Sequence, residues 1–594
     1  MAILAGGLPD DANAADDAAT DARPAPLMTR WAADVDPESP WPEYPRPAMV
    51  REDWLNLNGY WEYAIRYTGT EAPEAFDGRI LVPYPLESQL SGVGKSLQPD
   101  QTLHYRHRFT VPQTWQGMRV LMHFEAVDWQ CTLKVNGQEV GSHKGGYDPF
   151  SFDITNFLKS GEEQEVILSV QDPSDYASQP RGKQVLSPGS IWYTPSSGIW
   201  QTVWLEPVAE AYIESYTAVP DLRNGRLRID VSSVNAGDSH AVEVLVIRDG
   251  GTIAVQTKMS GEQFEFEIPD AIAWSPENPF LYSLLIKLQR GDGVVDSVSG
   301  YFGMRDVSLG TSNDGKLRIM LNGKPEFQSG VLDQGFWPDG LYTPPTDEAM
   351  KSDIEILKAM GFNMLRKHVK VEPRRFYYWC DVLGIWVWQD MPSGYKSGLS
   401  PEEQQRPTAD VAGQFRHELE RMIGNLYNHP SIIVWVPFNE SWGQHDTESV
   451  TEYVRSLDAS RLVNSASGWV DYGCGDMQDI HNYPEPKVPQ QSGERALVLG
   501  EFGGLGHSVP GHVWNERNWG YAVPENSDAL LAQFREYYEQ LWWMAQELGL
   551  SAAIYTQVTD VEVEANGLLT YDREVVKLDA EEVRRINEER PDIE

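Results

Sequence analysis

Two patterns of apolar spacing divide the chain. From about residue 28 to 208, and again from 209 to 307, apolar residues recur at every second position in short runs broken by Gly, Pro and Asn. This is the signature of half-buried strands, and it predicts two successive all-β sandwiches. In the first, 120–124 and 132–135 read as strands, and Asn136-Gly137 predicts a tight hairpin because both central positions of that turn need positive φ. The run 200–206 alternates until Pro207, which should end it. The second stretch, about a hundred residues long, suits an immunoglobulin-like sandwich acting as a spacer.

From 308 to 594 the pattern becomes strand, loop and helix in turn, which predicts a parallel sheet. Eight apolar runs qualify as strands: 327–331, 363–366, 385–389, 432–437, 462–466, 478–481, 496–501 and 552–557. Amphipathic helices at 347–360, 411–426 and 528–548 fall between them. In the first of these, Met350, Ile354 and Leu357 share a face and Gly361 marks the end. Eight strands with intervening helices predict a closed (β/α)₈ barrel, and no glycine-rich phosphate loop follows the first strand.

Composition narrows the partners. The 594 residues carry a formal charge of −40, with 88 acidic against 48 basic side chains, which disfavours nucleic acid and anionic membrane and favours a neutral ligand. Residues 1–27 are rich in Asp and Ala, predict a disordered acidic tail, and lack the basic start and apolar length of a signal peptide. The expectation is a cytoplasmic protein without a membrane span. Cys131, Cys380 and Cys474 have no metal-ligand spacing and read as buried thiols.

The chemistry concentrates in two runs, 428–440 and 496–504, each apolar and strand-length with a glutamate at its carboxyl end. A parallel barrel gathers its reactive groups at those ends. Glu440 and Glu501 would then face each other across the mouth, and two carboxyls about 5 to 5.5 Å apart suffice to cleave a glycosidic bond with retention. Glu501 reads as nucleophile and Glu440 as acid/base; the alternative is that both merely cap strands through ion pairs.

Around them, Asn439 could donate to a sugar hydroxyl, and Arg366 could hold the nucleophile ionised. His481 or, preferably, Tyr483 could hydrogen-bond Glu501. His368, Gln557 and Asp560 are further candidates to line the mouth. Trp442 and Trp514, the latter in a long loop with His507, His512 and Trp519, could stack on a sugar ring. His507 and His512 lack a third ligand, so no metal site is expected.

With these residues in view, the chain resembles glycoside hydrolase family 2, which contains β-galactosidases, β-glucuronidases and β-mannosidases. The resemblance rests on Trp54-Leu55-Asn56-Leu57-Asn58-Gly59-Tyr60-Trp61, Ser197-Gly198-Ile199-Trp200, Asn278-Pro279-Phe280-Leu281-Tyr282, Phe302-Gly303-Met304-Arg305 and both glutamate segments, in that order. It implies a jelly-roll sugar-binding-like first domain, the two glutamate roles given above, retention of configuration and no obligatory cofactor.

The departures concern substrate. The stretch Val563-Glu564-Ala565-Asn566-Gly567 lacks the lysine that glucuronidases use for a uronate. Ser190 and Gly504 stand where large β-galactosidases have an acid and a histidine, and Arg366-Lys367-His368-Val369 alters the familiar Arg-X-X-His. The expectation is an exo-β-glycosidase on neutral sugars, β-galactosidase-like. The alternatives are β-mannosidase, arabinopyranosidase or β-glucuronidase specificity, or a carbohydrate-binding or structural protein with a dead barrel. A homo-oligomer is left open.

Overall fold

The computed structural model describes residues 27–491 and 493–593. The predicted acidic tail, apart from Leu27, lies outside the described residues.

The first domain is a sandwich of a four-stranded and a six-stranded antiparallel sheet. Gln164–Gln171 alternates between buried and half-exposed positions along its whole length, and its inward residues Val166, Leu168 and Val170 meet Met122, Phe124 and Leu205 of the opposite sheet. The Asn136-Gly137 turn has positive φ at both positions, 51° and 80°, and joins Gln130–Val135 to Gln138–Lys144.

One boundary differs from expectation. The last strand of this domain is Val203–Val208, so Pro207 lies inside it. On one side its neighbour Leu55–Asn56 is short and pairs only with Leu205 and Trp204. Pro207 therefore faces no second strand that would need its missing N–H, which is where proline is tolerated in a sheet.

The middle domain packs a three-stranded sheet on a four-stranded one between Tyr212 and Phe302. It seats against the end of the barrel opposite the mouth. Trp274 meets Trp386 edge-on at 4.8 Å and donates its indole N–H to the Asp381 carbonyl at 2.8 Å. Arg305 caps the carbonyls of Pro430 and Ile432 at 2.9 and 3.3 Å. A small sheet, Val307–Thr311, Leu317–Leu321 and Lys324–Pro325, then floors the barrel with Ile319 and Leu321.

The barrel strands are Gln328–Asp333, Met364–Lys367, Trp386–Asp390, Ile432–Val436, Leu462–Val463, Met477–Asn482, Ala496–Gly503 and Leu550–Thr556. They form one parallel sheet whose ends are the fifth and sixth strands. Side chains bridge this seam: Asp479 Oδ2 accepts from Asn464 Nδ2 at 2.7 Å and from Ser467 Oγ at 2.6 Å. The interior is solid, filled by residues such as Met364, Trp388, Val434, Val498 and Ile554.

Helices Asp347–Ala359, Ala409–Leu426 and Ser527–Trp543 lie where the periodicity predicts, and the last is capped by the Asn526 side chain. Gly361 adopts φ +81° just beyond the first, a backbone state that favours glycine. Among the described residues, however, no helix separates the fifth, sixth and seventh strands. The alternation breaks at the seam, and loops take the place of helices beside the site. Cys131 and Cys380 are buried as expected, whereas Cys474 is only half-buried. No helix among the described residues is long and apolar enough to cross a membrane.

Candidate active site

Glu440 follows the fourth barrel strand and Glu501 lies in the seventh. A carboxylate oxygen of each, together with one ring nitrogen of His481, all fall within 4.8 Å of one another. Both glutamates are buried, at 6% and 5% exposure. The turn that delivers Glu440 is left-handed: Glu440 and Ser441 have φ of +48° and +63°. For non-glycine residues that conformation stores strain, and it is held by the Glu440 N–H donating to the Ser467 carbonyl at 2.8 Å.

Glu501 is surrounded by donors. Its Oε1 accepts from Arg366 Nη1 at 3.1 Å and its Oε2 from the Tyr483 hydroxyl at 2.7 Å. Burial alone would raise its pKa, but nearby positive charge wins and holds the carboxyl well below the usual range. His368 is itself kept neutral, chiefly by burial. The charge that keeps Glu501 ionised therefore comes from His481, Arg366 and Lys183.

Arg366 is fully buried and serves four acceptors, one of them the Gly500 carbonyl at 3.3 Å. It grips Asp390 through two bonds of 3.0 and 2.8 Å and donates to Asn439 Oδ1 at 2.7 Å as well as to Glu501. With Asn439 Oδ1 occupied, its amide Nδ2 is left as a buried donor with no partner among the described residues. An orphaned donor beside two carboxyls is a position prepared for a ligand oxygen.

His481 Nδ1 lies 2.8 Å from Glu440 Oε1 and 3.3 Å from Glu501 Oε2. Its Nε2 lies 2.8 Å from Ser467 Oγ, which donates onward to Asp479. Because the serine proton goes to Asp479, its oxygen must accept from Nε2–H. Nδ1 faces the ionised Glu501 as well as Glu440 and is a donor too, which makes the imidazole a cation. Burial lowers its pKa, but the charge of Glu501 and the bond to Glu440 outweigh that, and the net shift is upward.

The same three residues offer the spacing of a cation site. Here the histidine nitrogen that would ligate already carries a proton.

The other candidates divide. His368 Nδ1 bonds Asp390 at 3.1 Å. Tyr483 stacks on Tyr521 at 3.8 Å and shares its hydroxyl with Thr556 Oγ1 at 2.7 Å. Trp442 packs near His368, at 6.2 Å, and against Trp192 of the first domain, at 5.0 Å. Gln557 donates to Asn566 at 2.7 Å and leaves its own carbonyl oxygen unpartnered. Asp560 instead pairs with Lys577 at 2.5 Å.

Trp514 packs edge-on against Tyr571, and no described interaction links it to the glutamates. Its long loop is held by His512 bonding Asp572 at 2.7 Å. Sequence reasoning missed Asp390, Asp479, Ser467 and Lys183. Asp390 was within reach, as the polar residue ending the third strand, but Lys183 comes from another domain and carries no local signal.

Comparison with known proteins matches three family descriptions in chain order. These are glycosyl hydrolases family 2, sugar binding domain, over residues 80–206; glycosyl hydrolases family 2 over 211–305; and glycosyl hydrolases family 2, TIM barrel domain, over 319–586. A β-galactosidase of Thermoanaerobacter pseudethanolicus is 29% identical over 435 residues, which cover 70% of this chain and 55% of the relative. A β-glucuronidase of Bacteroides fragilis is 22% identical, covering 85% and 70%.

The solved structure of a Lactobacillus rhamnosus β-glucuronidase superposes with a TM-score of 0.76 at 19% identity, over 92% of this chain and 99% of that one, and shows the shared fold. The chain spans about half the length of the curated relatives it first matches, between 39% and 55%.

Proposed function

The chain belongs to glycosyl hydrolase family 2, and on that premise we propose that it is a retaining exo-β-glycosidase acting on neutral terminal sugars, with a β-galactoside as first substrate. In this reading the ionised Glu501 attacks the anomeric carbon while Glu440 gives its proton to the departing oxygen. A glycosyl ester on Glu501 results, and the aglycone leaves as an alcohol. Esterification removes the charge of Glu501, and Glu440, having given up its proton, is left as a base. Water then attacks the anomeric carbon, Glu440 takes its proton, and the sugar is released with its configuration retained.

The surrounding residues have matching tasks. Arg366 and Tyr483 orient and ionise the nucleophile. The free Nδ2 of Asn439 donates to the sugar hydroxyl next to the anomeric carbon, a bond that strengthens in the transition state. His481 gives the acid/base a charged hydrogen-bond partner. One observation carries the reading: the two glutamates and His481 present ligand atoms within 4.8 Å of one another at two barrel strand ends, the spacing that double displacement needs and water-separated inversion does not.

A neutral glycone is supported by Glu564, buried at the mouth in the stretch where a uronate-binding lysine would be sought. Its carboxylate accepts from Tyr193 and Asn566 and would repel a sugar carboxylate. The test is a panel of nitrophenyl β-glycosides, galactoside and glucuronide included, run with Glu440→Gln and Glu501→Gln. The reading requires turnover of a neutral β-glycoside and its loss in both variants.

A further inference from the structure

The N-terminal sandwich contributes a cation to the barrel mouth. Its segment Arg181-Gly182-Lys183-Gln184 is pinned to the loop after the third barrel strand: Arg181 and Gly394 exchange backbone hydrogen bonds of 3.1 and 2.9 Å. Arg181 Nε also donates to the Tyr395 carbonyl at 3.0 Å. A Cβ at Gly182 would lie 2.3 Å from the Tyr342 hydroxyl and 2.7 Å from the Val369 carbonyl, so the chain passes flush against the barrel there. On the far side the Lys183 carbonyl accepts from the Tyr193 N–H at 2.8 Å. The direction of the Lys183 side chain is thus fixed by backbone on both sides.

That side chain is only 6% exposed. Its Nζ stands 5.7 Å from the Tyr193 ring and 5.8 Å from the Trp442 ring, and among the described residues it makes no hydrogen bond and no ion pair. A lysine buried to this degree is normally paired. Its charge is nevertheless felt at the site, where it helps to keep Glu501 ionised and His368 neutral and opposes the effect of burial on Glu564. Glu564 accepts from the hydroxyl of the same Tyr193 whose ring flanks the ammonium.

We propose that Lys183 is a glycone-binding residue, its ammonium donating to a hydroxyl of the terminal sugar remote from the anomeric carbon. The inference rests on the glycosidase reading above and adds a specificity residue supplied by a different domain. A hydroxyl is the acceptor rather than a carboxylate, because Glu564, bonded to the hydroxyl of the Tyr193 whose ring flanks the ammonium, already places an acidic group beside it. The barrel alone then forms an incomplete site, and the pinned Arg181–Gly394 junction completes it.

The test compares the wild type with Lys183→Met, which keeps the apolar stem, and Lys183→Arg, which keeps the charge. Thermal unfolding checks that each variant folds. Turnover is measured on nitrophenyl β-galactoside, its 3-, 4- and 6-deoxy counterparts and the β-galacturonide. Binding of isopropyl 1-thio-β-galactoside, which is not cleaved, is measured by calorimetry.

Lys183→Met should lower kcat/KM on the galactoside by about 10- to 100-fold, as expected for losing a charged hydrogen bond. The loss should shrink to about twofold or less on one deoxy substrate, Lys183→Arg should recover part of it, and thiogalactoside binding should weaken by about tenfold or more. An equal loss on every deoxy substrate, or no loss at all, overturns the proposal. So does a wild-type preference for the galacturonide that Lys183→Met abolishes. Weakened thiogalactoside binding in a protein that cleaves none of the panel would uphold the role of Lys183 while refuting the glycosidase reading.

Discussion

His481 donates from Nδ1 to Glu440 Oε1 at 2.8 Å, and the same nitrogen lies 3.3 Å from Glu501 Oε2, so one imidazolium ties the proposed acid/base to the proposed nucleophile. Its second nitrogen is anchored through Ser467 to Asp479. The proton shared by the Glu440–His481 pair is therefore a property of a network that spans the barrel seam.

The first prediction concerns that proton. A histidine whose pKa is raised above 6.5 stays charged past the point where a free imidazole loses its proton. Whatever the cation supports is fully present below about pH 6.5 and is lost as pH rises through the raised value. In His481→Gln the alkaline limb of the kcat/KM profile should move to lower pH and kcat should fall by about tenfold or more. An unmoved alkaline limb would remove the histidine from the proton inventory.

Tyr483→Phe deletes one of the two close donors to Glu501 while keeping the ring that stacks on Tyr521. Fewer donors make the ionised carboxylate harder to maintain. The acid limb of kcat/KM should shift to higher pH and kcat should fall by about 10- to 100-fold, with a stability cost of about 1 kcal/mol from the abandoned Thr556 hydroxyl. Steady-state kinetics across pH, with thermal unfolding alongside, check both parts.

A divalent metal should inhibit rather than activate. Zinc could bridge Glu440, His481 and Glu501, but only after displacing the histidine proton. Inhibition by zinc should therefore strengthen as pH rises, weaken in Glu440→Gln, and leave chelator-treated enzyme as active as untreated. Loss of activity on chelation would contradict this.

Global stability should peak in mild acid. Burial pushes Glu87 and Glu418 up to about 8, and Glu125, Glu326 and Glu562 up to about 7. Above about pH 4.5 these groups ionise in the unfolded chain while staying protonated in the fold, so stability declines as pH climbs towards 8. On the acid side, despite burial, cationic neighbours hold Glu206 and Asp458 at about 2, and their contribution is lost as pH falls towards that value. The unfolding midpoint should be at least about 4 °C higher near pH 5.5 than at pH 8.5. A scan showing the reverse would mean these carboxyls are not buried in the folded protein.

Much of this arrangement was legible because the barrel obeys local rules. A buried parallel strand must be a continuous apolar run, and the residue that ends it must face the mouth, so Glu440, Glu501 and Arg366 could be found without coordinates. What was not legible depends on contacts between distant segments. Pro207 stays in its strand only because the neighbour at Leu55–Asn56 is short. The helices beside the fifth and sixth strands are replaced by loops, the first of which brings Ser467 to His481 on the sixth strand. Trp514 lay in a suitably long loop, yet Tyr571 offered it a better partner than the mouth. Lys183 reaches the site from a sandwich whose own pattern gives no hint of it.

The most direct measurement is covalent trapping. The protein is incubated with 2,4-dinitrophenyl 2-deoxy-2-fluoro-β-galactoside, whose fluorine slows the second step more than its reactive leaving group slows the first, and the peptides are then mapped by mass spectrometry. The account predicts one fluoroglycosyl group per chain, carried as an ester on Glu501 and absent from Glu501→Gln. A label on Glu440, or equal labelling of the Glu501→Gln variant, would contradict it.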